Sequence, residues 1–376
     1  MKKVNAHSIS LIVSLVALLV VLGYLFSGNI SKAGPIVIAF FLFLAIGFRG
    51  YPTLKGFAYT IMIFAAVSTA LYYPQYFVEV NGFKFAVLIT PLIQLIMFGM
   101  GTSMGVDDFV GVIKTPKGVF IGVTSHFIIM PLLGFTLANL SGLPPEIAAG
   151  IILIGCSPNG MASNVISYLA KANLALSITI TAVSTLLAPF VTPLLMKFLA
   201  GAFVKIDVGT MMWDIIKMVI IPIGAGILFN KLLKGKSKWL DNAMPLVSMF
   251  GIAFIIVIIT AAGRESLLTI GPLLILLVLI HNLLGYSLGY WSGRLFRMPE
   301  RDCRTMAIEV GMQNGGLASG LANQMGKMAT VGLAPAIFGP LMNITGSILA
   351  SYWHKKPLKD DSHPLPAGSE LPVQST

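Results

Sequence analysis

The chain has 376 residues, of which 56% are hydrophobic and only 10% are charged, and its mean hydropathy is +0.88. A soluble domain of this size needs more charge on its surface, so the composition excludes a soluble protein and indicates one that lies in lipid. The net charge of +11 does not indicate nucleic-acid binding, because the Lys and Arg residues lie in short connections without aromatic platforms. The two cysteines, Cys156 and Cys303, are too few for a disulfide framework or a zinc site.

Apolar runs of about 20 residues, the length that crosses a bilayer core, follow one another almost from end to end. The first run follows Lys2 and Lys3, and we predict a retained helix there, with a cleaved signal peptide as the alternative. Because the basic residues concentrate in alternate connections, both termini are predicted to be cytoplasmic. Twelve spans are predicted, at 8–27, 34–48, 56–74, 84–101, 117–138, 145–169, 174–199, 209–232, 244–262, 267–293, 303–324 and 329–352.

An internal repeat organises the chain after its first 50 residues. The first copy has a Pro-Glu pair, then an apolar run, then the pair Asn159-Gly160. The second copy repeats this order and ends at Asn314-Gly315, and a proline-bearing run follows each copy. The copies begin five spans apart, and an odd number of crossings inverts the second copy in the membrane. Inverted repeats are typical of secondary transporters.

The predicted fold class is therefore an all-α polytopic membrane protein with two inverted five-helix repeats and about two extra helices. The predicted units are the extra N-terminal helices at 1–50, repeat one at 51–203, repeat two at 204–353, and a disordered cytoplasmic tail at 354–376.

One span of each repeat contains a stretch that a continuous helix accommodates poorly. These stretches are residues 155–160, where Pro158 removes a backbone donor, and residues 311–316, which contain three glycines. We predict that both helices break near the middle of the membrane. A break exposes backbone carbonyls and half-helix ends that an ion or a substrate can use, although a simple kink is the alternative.

Glu309 lies beside the second break, in the membrane portion of its span. An intramembrane carboxylate indicates a functional site, although a protonated structural acid or a pair with Arg304 would also explain it. Sodium requires several oxygen ligands and a negative charge. The first repeat offers neutral oxygens from Ser163 and Asn164, which follow its break, and from Ser177 and Thr181, which share one helical face. Ser and Thr in membrane helices often bond only to the helix itself.

These stretches resemble the signatures of the bile acid:sodium symporter family. The first runs from Gly155 through Asn164 to Leu186, the second comprises Glu309 to Asn314 with Leu317-Ala318, and Phe98 to Gly101 is similar to a core helix. The resemblance covers about residues 56–353 and implies a panel domain and a core domain, with two broken helices crossing in the core.

The resemblance also implies binding residues near the crossing. One sodium ion would be held by Ser163, Asn164, Ser177, Thr181 and Glu309. A second would be held by Glu309, Val310, Met312 and Gln313, together with the residue at position 126. The implied substrate residues are Asn314, Asn159, Gly160 and Met161.

Two departures from the family pattern concern the second sodium site and the substrate. His126 stands where relatives have a glutamine ligand, and imidazole is a poor sodium ligand, so this site is expected to be altered, weak or pH-sensitive. A histidine that only packs or bonds locally is the alternative. Asn159, Gly160 and Met161 replace the two glycines and threonine frequent in the family, so the substrates of relatives are not transferred to this chain.

We therefore predict sodium-coupled symport of a small organic anion, bile-acid-like, pantoate-like or another carboxylate, by alternating access in a bacterial inner membrane. The expected partners are this anion, sodium ions and the lipid bilayer, with no nucleic acid and a monomeric protein. A proton-coupled anion transporter that uses Glu309 and His126 is the main alternative. An intramembrane enzyme is not expected, because neither H-E-x-x-H nor G-x-S-x-G is present.

Overall fold

The computed structural model describes residues 6–51, 54–104, 115–232 and 238–356, apart from the side chains of residues 238–242 and 245. The predicted disorder of the tail concerns mainly residues from 357 onward, which lie outside this range, and it stays a prediction. The helices are α1 Ala6–Phe26, α2 Gly34–Arg49, α3 Ala58–Tyr72, α4 Ile89–Ser103, α5 Pro116–Leu140, α6 Pro145–Cys156, α7 Ala162–Leu169, α8 Leu174–Ala200, α9 Val208–Ile215, α10 Ile221–Leu232, α11 Lys238–Ala262, α12 Arg264–Leu295, α13 Glu300–Gly311, α14 Gly315–Gln324 and α15 Leu333–His354.

Irregular elements connect some of these helices. A π-helical turn, Ile216–Ile220, joins α9 to α10. One helical turn, Gln75–Val78, leads into a small antiparallel hairpin of β1, Glu79–Val80, and β2, Phe83–Lys84.

Eight helical stretches in the described residues have at least 18 residues and are apolar enough to cross a membrane. The other predicted spans are α2, the apolar part of α11, and two spans that are interrupted, α6 with α7 and α13 with α14. Large apolar side chains such as Leu140 and Phe198 are about four-fifths exposed, as expected where lipid is the solvent. The predicted all-α polytopic fold class is confirmed.

The helices after α2 pack as two groups, which we name the panel helices and the core helices. The panel helices are α3, α4, α9 with α10, and α11, and the core helices are α5 to α8 and α12 to α15. The likeness of Phe98 to Gly101 to a core helix is therefore corrected, because these residues lie on α4 and pack with the panel helices. Panel helices α4 and α10 approach closely, because a Cβ atom added at Gly101 would lie 2.2 Å from the carbonyl oxygen of Ile223. Helices α1 and α2 pack on each other, and α2 packs on α3, so this pair flanks the panel helices.

The two interrupted spans are tied to each other at both ends. In the buried tie, Arg304 near the start of α13 is 2% exposed, and its Nη1 donates to the carbonyl oxygens of Ala170, after α7, and Trp353, each at 3.2 Å. In the exposed tie, Glu146 near the start of α6 forms an ion pair with Lys327, after α14. Each interrupted span thus begins where the other ends, which holds the core helices together.

Candidate ion and substrate site

Both interrupted spans break where the sequence predicts. Residues 157–161 separate α6 from α7, and residues 312–314 separate α13 from α14. The two connecting stretches pass each other antiparallel and form an isolated bridge between Asn159 and Gln313. The backbone nitrogen of Gly160 donates to Met312 O at 3.1 Å, and that of Asn314 donates to Pro158 O at 2.8 Å. Each break therefore satisfies part of the exposed backbone of the other.

Gly160 makes this crossing possible. A Cβ atom at position 160 would lie 2.5 Å from the carbonyl oxygen of Gln313, which is backbone and cannot move independently. The glycine is therefore required by the close approach of two backbone segments rather than by an unusual backbone conformation.

Side chains of neighbouring core helices bind the carbonyl groups that end the first half-helices. Thr192 on α8 donates its hydroxyl to Cys156 O at 2.7 Å, and Asn282 on α12 donates its amide to Gly311 O at 2.8 Å. Cys156 and Gly311 are equivalent positions of the repeat, so the two breaks are supported alike. We did not predict these residues, although a polar side chain within an apolar run was the available signal.

The structure brings together all five residues that were predicted to hold the first sodium ion. The carboxylate of Glu309 is fully buried. Its Oε1 accepts a hydrogen bond from Ser177 at 2.5 Å, and its Oε2 accepts one from Thr181 at 2.9 Å. The hydroxyl groups of Ser163 and Thr181 lie 3.3 Å apart, and Asn164 Oδ1 lies 2.9 Å from Ser177 Oγ.

This oxygen cluster, formed by Ser163, Asn164, Ser177, Thr181 and Glu309, has more acceptors than protons. Its side chains present six oxygen atoms, whereas the three hydroxyl groups supply three protons and the Asn164 amide two. No ion pair to Glu309 is found among the residues that the structure describes. A dense group of oxygens around one buried negative charge suits a small hard cation or a proton.

His126, on core helix α5, connects the two breaks. Its Nε2 lies 2.9 Å from the carbonyl oxygen of Ser157. Its Nδ1 lies 3.2 Å from the carbonyl oxygen of Glu309 and 3.1 Å from the amide nitrogen of Asn159, which also donates to Glu309 O. A neutral imidazole with its proton on Nε2 donates to Ser157 O and accepts from Asn159, whereas the other tautomer donates from Nδ1 to Glu309 O. His126 is therefore fully buried and connects the two breaks by hydrogen bonds.

The residues predicted for the second sodium ion lie together, but their carbonyl groups already have donors. Val310 O accepts from the side chain of Gln313 at 3.1 Å, Met312 O accepts from Gly160, and Glu309 O accepts from Asn159. The side-chain oxygens of Asn159 and Gln313 are buried without a hydrogen-bond partner among the described residues. Rotation of the Asn159 and Gln313 amides would free Val310 O and Glu309 O and turn two side-chain oxygens toward an ion, whereas Met312 O would keep its backbone donor and offer only its second lone pair.

A cavity of about 120 Å³ adjoins the crossing, between the panel helices and the core helices. Of the four predicted substrate residues, Asn314, Gly160 and Met161 line it. Asn159 does not, because its side chain is fully buried in the crossing and bonded to Glu309 O and His126. Sequence reasoning missed Ser319, Asn343 and six isoleucines that also line the cavity.

Interrupted helices that meet within the membrane, beside an ion-sized oxygen cluster and a cavity, are typical of secondary transporters. The sequence profile described as the sodium bile acid symporter family matches residues 90–270. The chain is 40% identical over 303 residues to YocS of Bacillus subtilis (strain 168), described as an uncharacterized sodium-dependent transporter, and the alignment covers 80% of this chain and 92% of YocS.

Plant relatives match over a similar part of the chain. Identity to the probable sodium/metabolite cotransporter BASS1, chloroplastic, of Arabidopsis thaliana is 33% over 263 residues, 70% of this chain and 66% of the relative. Identity to BASS2, chloroplastic, of Oryza sativa subsp. japonica is 31% over 278 residues, 73% of this chain and 66% of the relative. The chain therefore belongs to the sodium bile acid symporter family.

Proposed function

We propose that this chain is a sodium-coupled symporter that carries a small organic anion by alternating access. The observation that carries the proposal is the buried carboxylate of Glu309, which faces oxygens and forms no ion pair within the described residues. A buried charge without a partner costs several kcal/mol. A sodium ion in the oxygen cluster would remove that cost. The names of two relatives also support the proposal, because they describe a sodium-dependent transporter and a sodium/metabolite cotransporter.

The positions of the ligands suggest how ion and substrate binding are linked. Ser163 and Asn164 lie in the first turn of α7, directly after the cavity residues Gly160, Met161 and Ala162. Glu309 precedes the second break, and the cavity residue Asn314 follows it. Sodium would therefore order the same chain segments that form the substrate cavity. Coupling follows if sodium binds the substrate-competent state more tightly than the other state.

Alternating access would move the core helices against the panel helices. The oxygen cluster and the crossing lie wholly within the core helices, whereas the cavity lies at the boundary between the two groups. A rocking motion would leave the ion ligands together and open the cavity to either side in turn.

The first test is thermal unfolding of the purified protein in sodium, potassium and choline chloride at equal ionic strength. We expect the unfolding temperature to rise in sodium alone, because an ion present at about 100 times its Kd stabilises the folded state by about 2.7 kcal/mol. Glu309→Gln should abolish the rise. Glu265→Gln, which removes a carboxylate that is 96% exposed, is the matched control and should keep it.

The proton-coupled alternative gives a different result in the same experiment. If the three salts gave one curve, and pH alone shifted it in the wild type, the sodium proposal would fail and a relay through Glu309 and His126 would replace it. Sodium-driven uptake into proteoliposomes then tests transport itself.

A further inference from the structure

The cavity has one apolar wall, which we name the isoleucine wall. It is contributed by panel helices α3, α4 and α11, and its residues are Ile63, Ile93, Ile96, Ile252, Ile255 and Ile256. Isoleucine is stiff at χ1 because it is branched at Cβ, so the shape of this wall is well defined. These side chains have no polar atom, so they cannot form a hydrogen bond with a hydroxyl or a second charged group of a ligand.

The opposite wall, formed by core helices, carries hydrogen-bond donors. Asn314 is 6% exposed, and its Oδ1 already accepts from the backbone nitrogen of Leu317, which leaves its amide nitrogen as a free donor. Ser319 is 2% exposed, and neither it nor Asn343 forms a side-chain hydrogen bond within the part of the chain that the structure describes. Asn314 caps the N-terminus of α14 at Gly315, where the helix dipole favours negative charge, and Ser319 lies about one turn further along the same helix.

The lining residues include no Lys, Arg, His, Asp or Glu. A negative ligand group can therefore be held only by amide, hydroxyl and backbone donors at one pole of the cavity. A second charge, or several hydroxyl groups, would face the isoleucine wall without a partner. Burying such groups unpaired costs several kcal/mol, so a dicarboxylate, a sugar acid or a phosphate ester fits poorly.

The volume of about 120 Å³ limits the size of the ligand. An engineered cavity of about 150 Å³ in another protein holds benzene, so this cavity has room for a ligand of about six to nine non-hydrogen atoms when part of it reaches the mouth. A steroid nucleus is several times larger than the cavity. The cavity in this conformation therefore favours a small anion over a bile-acid-like one.

We propose that the substrate is a short, branched aliphatic monocarboxylate. Its carboxylate binds Asn314, Ser319 and the start of α14, and its hydrocarbon part packs on the isoleucine wall. This inference rests on the proposed sodium-coupled transport and specifies what that transport carries.

The test measures ligand-induced thermal stabilisation, in saturating sodium and in potassium, of the purified full chain, followed by competition in sodium-driven proteoliposome uptake. The probes are isovalerate and 4-methyl-2-oxopentanoate, with isovaleramide, succinate, glycerate and cholate for comparison. We expect the two branched acids to bind at least about tenfold more tightly than every comparison compound, because only they match both walls.

A pair of variants tests the geometry. Ile255 and Ile258 lie on α11 and are each 1% exposed, but only Ile255 lines the cavity. Ile255→Ala should increase binding of octanoate relative to isovalerate by about tenfold, because the removed methylenes lengthen the apolar end. Ile258→Ala should leave this ratio unchanged. Ser319→Ala should weaken isovalerate binding and leave the sodium effect in place.

The outcomes separate this inference from the proposed function. If sodium stabilises the protein but succinate or cholate binds best, or if no branched acid binds, the substrate class is overturned and sodium coupling stands. If sodium has no specific effect, the proposed function itself fails. An equal octanoate ratio in Ile255→Ala and Ile258→Ala would contradict the placement of the hydrocarbon part.

Discussion

Two hydroxyl groups of α8 donate to the Glu309 carboxylate, one to each oxygen. Ser177 and Thr181 lie one helical turn apart on α8, so their side chains project from the same face toward α13. The sequence spacing predicts this shared face. Only the packing of α8 against α13 shows that the face is directed at Glu309.

We expect Ser177→Ala and Thr181→Ala each to raise the sodium concentration for half-maximal stabilisation by about tenfold, equivalent to about 1.4 kcal/mol. Each change removes one oxygen ligand and leaves the carboxylate in place. Thermal unfolding over a sodium titration measures the effect. Ser287→Ala is the control, because that hydroxyl donates to Leu283 O on the exposed surface of α12. Unchanged sodium dependence in both variants would mean that these hydroxyls are not ligands.

Some residues of the site could be predicted from the sequence, and others could not. The role of Glu309 could be predicted because a carboxylate in an apolar run is rare, and the resemblance linked it to the oxygens of the first repeat. The direction of the Asn159 side chain could not be predicted, because it depends on contacts with Glu309 and His126, which are distant in sequence. Composition alone does not say which way an asparagine in a break will turn.

At the scale of elements, the crossing depends on Gly160. We expect Gly160→Ala to abolish the sodium-specific rise in unfolding temperature, because the added methyl group would separate the two breaks, and overpacking of this kind costs about 1–3 kcal/mol. Gly224→Ala is the matched control on α10, since no atom lies within 4 Å of a Cβ atom there. A normal sodium response in Gly160→Ala would show that the ion site does not require this close approach.

The network of His126 predicts how many sodium ions bind tightly. The carbonyls of the second ligand set are engaged, so we expect a sodium titration of the wild type to show a Hill coefficient of about 1. His126→Gln should raise it toward about 2, because glutamine supplies an oxygen and frees Asn159 to rotate. A wild-type coefficient of about 2 that the variant leaves unchanged would refute this interpretation of His126.

The composition of the helices predicted where helices occur better than it predicted which side of each helix faces the cavity. The interrupted spans follow from Pro158 and the glycines near position 315, which are local signals. The isoleucine wall could not be predicted, because apolar residues of membrane helices face either lipid or protein, and hydrophobicity is similar on both faces. Its members come from three helices that are distant in sequence, so only the tertiary packing identifies them.

At the scale of the whole molecule, the two ties between the interrupted spans should differ in strength. Arg304 is buried, and it also contacts Glu300 Oε1 at 3.2 Å, whereas Glu146 and Lys327 of the exposed tie are 39% and 32% exposed. We expect Arg304→Gln to lower the free energy of unfolding by about 3–5 kcal/mol, because it leaves buried acceptors unpaired. Lys327→Gln should cost only about 0–1 kcal/mol.

Unfolding in increasing denaturant, at fixed detergent and sodium concentrations, measures both changes. Equal effects of the two substitutions would contradict the assignment of the buried tie as the main connection. The same comparison tests whether the core helices behave as one body, since loss of the buried tie should broaden the transition if they separate before the rest unfolds.

Under the proposed function, the unpaired carboxylate of Glu309 would also determine how the protein responds to membrane voltage. With symport of one sodium ion and one monoanion, the empty carrier would have one negative charge at this position, and loading would add no net charge. Each charge that crosses the field gains or loses about 2.3 kcal/mol per 100 mV. The inward step of the loaded core and the outward step of the empty core would then move the same charge in opposite directions. The accumulation ratio of the substrate would follow the sodium concentration gradient and be independent of the membrane potential.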